Sequence, residues 1–99
     1  MKVQIQAKQF SAGQHLIDFI EKKLAKLEQF FDRIIDTEVF LSLEGGGATV
    51  KEKVVKIKVN LPGNQMIATE RSKLFEEAID LSVSSLSRQL KRHKEKLRR

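Results

Sequence analysis

Cysteine, tryptophan and tyrosine are absent from this 99-residue chain, and proline occurs once. Without cysteine there is no disulfide framework and no thiolate chemistry, a usage that fits a reducing cytoplasm. Without tryptophan or tyrosine, stacking on a nucleobase is left to Phe, His and Arg. No apolar run approaches the ~20 residues of a membrane helix. The alternating start Met1-Lys2-Val3-Gln4-Ile5-Gln6 lacks the hydrophobic region of a signal peptide. No internal repeat occurs, and low complexity is confined to Gly45-Gly46-Gly47, which lacks the following Gly-Lys-Ser/Thr of a phosphate loop and reads as a mobile connection. Catalytic groupings are missing too. Asp36 and Glu38 share a strand face near Asp32, but no histidine or nucleophile accompanies them. His93 has no second His or Cys at metal spacing and reads as a packed or rim histidine, and His15 as an exposed one. The expectation is a binding protein, not an enzyme, with no cofactor, metal, membrane or small-molecule partner.

What is present is size enough for one domain and an uneven distribution of charge. A chain of this length buries roughly two thirds of its extended surface, so one two-layer core needs no staples. Forty per cent apolar residues, six of them Phe, suffice to fill it. The formal charge is +6, and all of it resides in Leu86 to Arg99, with seven cations and the single anion Glu95. Residues 1 to 85 carry twelve basic and twelve acidic side chains. A neutral body with one cationic end suits a polyanion partner, because clustered Lys and Arg displace the counterions condensed on phosphates.

At about 100° per residue on a helix, Leu86, Leu90, His93 and Leu97 form one apolar stripe. Arg88, Arg92, Glu95 and Arg99 lie opposite, Lys91 and Arg98 on one flank, and Lys94 and Lys96 nearer the stripe. The leucines can therefore anchor the helix while the cations point outward. A solvated helix face ordinarily mixes both signs, and one acid among eight charges does not.

Lys2 to Lys8 alternates as a half-buried strand with Val3, Ile5 and Ala7 inward. Ser11 offers an N-cap with Gln14 as capping-box partner, and Leu16, Ile20, Leu24, Leu27 and Phe31 predict a helix from about Ala12 to Phe31. Alternation predicts a second strand through Ile35, Thr37, Val39, Leu41 and Leu43, and a third through Val55, Ile57, Val59 and Leu61. Leu61-Pro62-Gly63-Asn64 suits a type II turn into a short fourth strand, Gln65 to Glu70, with Met66 and Ala68 inward. Ser72 can cap a last helix whose stripe begins at Phe75, Ile79 and Ser82. Phe40, Val54 and Ile67 fall on the outward sheet face.

The order β-α-β-β-β-α predicts an α+β two-layer sandwich. Its four-stranded sheet has strands one and two parallel through a right-handed crossover, the rest antiparallel, and both helices on one face. The first helix adds Lys22 and Lys26 opposite its apolar stripe and Lys23 on one flank, with Glu21 and Glu28 on the other. Were the lysine flank to face the last helix, the two would form one cationic ridge.

Two stretches carry a family resemblance: Lys23-Leu24-Ala25-Lys26-Leu27-Glu28-Gln29-Phe30-Phe31-Asp32-Arg33-Ile34, and Ala78-Ile79-Asp80 continuing to Arg88-Gln89-Leu90-Lys91-Arg92-His93-Lys94-Glu95-Lys96-Leu97. With this element order, the whole chain resembles the ribosome hibernation factors, also called the sigma-54 modulation, ribosome-associated inhibitor A or protein Y family, and most nearly their short hibernation-promoting form. The resemblance implies a fold similar to a double-stranded-RNA-binding domain. It also implies a cytoplasmic protein that binds the small ribosomal subunit and its 16S rRNA, overlaps the mRNA path and tRNA sites, and stalls translation in stationary phase. By matching motif positions it assigns rRNA contacts to Lys23, Lys26, Arg88, Arg92 and Lys94, to which helix geometry adds Lys22 and Lys91. Leu74-Phe75-Glu76-Glu77 departs from the family's aromatic pattern, and Ser84-Ser85-Leu86 lacks a usual lysine. A single domain over residues 1–99, without the C-terminal dimerisation domain of long relatives and monomeric when free, is the expected organisation. A general double-stranded-RNA-binding module and a protein-binding transcription modulator are the alternatives.

Overall fold

The computed structural model describes residues 1–45 and 52–97. The elements run β1 (Lys2–Ala7), α1 (Gln14–Phe30), β2 (Asp36–Glu44), β3 (Glu52–Leu61), β4 (Asn64–Ser72) and α2 (Phe75–Leu97). The sheet order is β1-β2-β3-β4, with β1 and β2 parallel and both later pairs antiparallel. This is the expected α+β class and element order. The glycine-centred connection falls largely on residues 46–51, outside the described residues.

Period-two alternation sets the register. Ile5 lies beside Val39, Val39 beside Ile57, and Ile57 beside Ala68, so one inward row crosses all four strands. Ile20, Leu24 and Leu27 of α1 and Ala78, Ile79, Leu86 and Leu90 of α2 join these residues in one core. Both helices therefore cover the same sheet face. Each follows a strand of the same direction, so the helices run parallel to one another. Phe10 stacks on Phe75 at 5.4 Å and closes one end of the core. Ser82, a polar group on the α2 stripe, is buried and donates to the Ala78 carbonyl at 2.8 Å, which satisfies its hydroxyl within the helix.

Several expectations are corrected. Ser11 does not cap α1. The chain turns at Gln9, which adopts φ 67°, and Gly13, extended at φ −69° and ψ 156°, occupies the N-cap position without a side-chain bond. Gln14 bonds forward to Asp18 at 2.8 Å instead of reaching back. Ile34, not Ile35, enters the core; Ile35 precedes β2 and is 56% exposed. On the outer sheet face only Ile67 is exposed among Phe40, Val54 and Ile67. Val54 is 6% exposed, and the Phe40 ring carries the Lys58 ammonium 5.5 Å from its centroid. At the β3–β4 hairpin, Gly63 takes φ 72°, the left-handed value that the third residue of a type II turn requires and that glycine adopts without steric cost. Ser72 Oγ accepts from the Leu74 N–H at 3.5 Å, a loose start to α2.

Candidate nucleic-acid interface

The side chains of α2 are sorted by the helical repeat. Leu86 and Leu90 are fully buried, His93 is half-buried, and Leu97 is 55% exposed. The anchor thus ends one turn earlier than the stripe. His93 sets its ring edge-on against Phe31, centroids 5.8 Å apart, and so serves packing. Arg88, Lys91 and Arg92 point away from the core and are exposed. Arg88 Nη1 donates to Ser84 Oγ at 3.0 Å, one turn back, which steadies the guanidinium along the helix surface. Arg98 and Arg99 lie outside the described residues.

On α1, Lys22 and Lys26 are exposed, while Lys23 is half-buried on the flank that meets α2. Its ammonium lies 3.1 Å from Asp80 Oδ1, an ion pair that crosses from one helix to the other, and 5.3 Å from the Phe19 ring centroid. The lysine flank of α1 does face α2, but Lys23 meets an acid there. Lys94 also bridges the helices. Its Nζ donates to the Phe30 carbonyl at 3.3 Å, one of the orphan carbonyls at the end of α1, and sits 5.3 Å above the Phe30 ring. Of the seven expected contact residues, then, Lys23 and Lys94 make contacts that cross from one helix to the other. Lys22, Lys26, Arg88, Lys91 and Arg92 make the outward array. Among the described residues, none of these five has a carboxylate within 4 Å.

Residue spacing overlooked Phe30. It lies off the α1 stripe, beside the core residue Phe31, and is 43% exposed. It lines a depression of about 210 Å³ with Lys91, Lys94 and Glu95. Lys94 separates this from a second depression of about 400 Å³, lined also by Phe31, Asp32, Arg33 and Leu97. The signal was an aromatic residue that the helical period leaves outside the core. Among the described residues no grouping of His, Asp and Glu can hold a metal ion, and no helix is long and apolar enough to cross a membrane.

A four-stranded sheet backed on one face by two parallel helices defines an α+β two-layer sandwich. Residues 3–98 match the model of the family described as sigma 54 modulation protein / S30EA ribosomal protein, and the chain belongs to that family. It is 33% identical over 96 residues to a ribosome hibernation promoting factor of Pseudomonas putida, covering 97% of this chain and 89% of the relative. It is also 33% identical to the Escherichia coli K12 protein of that name, covering 99% and 98% of the two chains. The Bacillus subtilis ribosome hibernation promotion factor, 31% identical, is matched over all of this chain and 51% of the relative. Among solved structures, the N-terminal domain of Thermus thermophilus Protein Y superposes with TM-score 0.80 at 30% identity, covering 94% of this chain and 99% of that one. A ribosomal subunit interface protein from Coxiella burnetii superposes with TM-score 0.84, covering 95% and 98%; at 24% identity it speaks for the fold.

Proposed function

We propose that this protein is a cytoplasmic ribosome hibernation factor. It occupies the mRNA and tRNA channel of the small ribosomal subunit and silences translation by occlusion, without chemistry of its own. The observation that carries this reading is the array of Lys22, Lys26, Arg88, Lys91 and Arg92 on the outer faces of two helices, none paired with a carboxylate among the described residues. Membership of the family and the names of its relatives supply the partner. The cations would meet 16S rRNA phosphates, which position a protein without reading sequence. Lys23 and Lys94 would meet the RNA from the seam between the helices, where each also makes a contact from one helix to the other.

The test is co-sedimentation with purified small subunits. An Arg88→Glu/Arg92→Glu double variant alters two exposed side chains, so its circular dichroism should match wild type while its co-sedimentation is lost. Undiminished co-sedimentation would remove this face from the interface. Equal affinity for any A-form duplex would instead mark a general duplex-binding module, and binding that survives nuclease a protein-directed one.

A further inference from the structure

We propose that the depression between the C-terminal ends of α1 and α2 seats one unpaired RNA nucleotide, its base stacked on Phe30 and its flanking phosphates on Lys91 and Lys94. The inference rests on the RNA-binding reading above and specifies what part of the RNA this end of the interface takes. Phe30 is 43% exposed although the Lys94 ammonium lies over one face of its ring. The same ammonium donates to the Phe30 carbonyl, so Lys94 is tied to this residue while much of the ring stays exposed. Glu95 shares the lining. A carboxylate repels a phosphate placed in the depression, but it accepts hydrogen bonds from the N–H groups on a base edge. The two lysines then suit the phosphates on either side of that base. Beyond Lys94, the second depression with Arg33 continues the path for the strand. Bases inside a duplex are stacked on their neighbours, so only an unpaired nucleotide can present its face. An arginine from a protein partner would satisfy the ring and Glu95 but would meet two lysines.

The chain contains no tryptophan or tyrosine, so Phe30→Trp introduces a single reporter. Full-length Phe30→Trp is titrated with a single-stranded RNA decamer, an abasic strand of equal length, a duplex of equal length and an arginine-rich peptide. Quenching by the single strand alone is expected. Wild-type protein should bind the abasic strand about tenfold or more weakly than the base-bearing one. Phe30→Leu, a helix-compatible change at an exposed site, should lose that difference and bind the abasic strand as wild type does. Equal binding of abasic and base-bearing strands, no effect of Phe30→Leu, or quenching by the peptide and not by RNA overturns the proposal. Small-subunit co-sedimentation runs alongside. A wild-type protein that fails to co-sediment sinks the hibernation reading; an unchanged base preference in Phe30→Leu sinks only this seat.

Discussion

Leu90 and Leu97 occupy the same stripe of α2, yet the first is fully buried and the second is 55% exposed. Losing a buried leucine side chain costs both its transfer free energy and the cavity it leaves. Leu90→Ala should therefore destabilise the protein by about 2–5 kcal/mol, and Leu97→Ala by under about 0.5 kcal/mol, both read from urea unfolding midpoints. Equal effects would show that the last turn is anchored after all. The pair marks what periodicity can convey. It identifies the face of a helix that is apolar, as it did for Leu86, Leu90 and His93. It does not tell where the opposing surface stops. Ile34 and Ile35 make the same point, since adjacent isoleucines offer alternation a choice that only the start of β2 decides. Val54 stands on the outward parity of its strand and is buried regardless, because parity assigns a face and not the depth of cover over it.

At the scale of elements, the order and type of all six were legible, because long strands with period two and helices with uninterrupted stripes leave little competition. The start of α1 was not: Ser11 had the chemistry of a cap, but Gly13 holds the N-cap position and the helix begins at Gln14. Nor could spacing reveal the contacts between helices. Lys23 with Asp80 and Lys94 with Phe30 are far apart in sequence and depend on the rotation of each helix about its axis. The Lys23–Asp80 pair yields an expectation of its own. With Asp80 54% and Lys23 28% exposed, the pair is solvent-screened and contributes under about 1 kcal/mol. Asp80→Asn should thus leave the unfolding midpoint nearly unchanged. It frees Lys23 as a sixth outward cation and raises small-subunit affinity, most visibly at low salt. A fall in affinity would mean that Asp80 holds Lys23 where RNA needs it.

For the molecule as a whole, the cation-rich end was evident in the sequence, whereas the division of the seven expected contact residues of α1 and α2 into five outward and two bridging side chains was not. That division sets the salt response. The five outward cations alone predict that log K falls with log salt at a slope of about −4, steeper if Lys94 also meets a phosphate, and that Lys91→Gln makes it shallower by about one. Small-subunit binding measured across a salt series checks both numbers. A wild-type slope shallower than about −2 would place the affinity elsewhere, since the remainder of the chain carries balanced charge. The double-stranded-RNA-binding alternative shares the slope but not the preference for small subunits, so the two measurements belong together.

The parallel course of the helices has one more effect. Peptide dipoles add along each helix to leave roughly half a negative charge at the C-terminal end, and the ends of α1 and α2 approach each other where Lys94 reaches the Phe30 carbonyl. The last-turn ammonium groups of Lys94 and Lys96 are thus seated on a built-in electronegative footing. Their mutual repulsion is partly offset before any nucleic acid arrives.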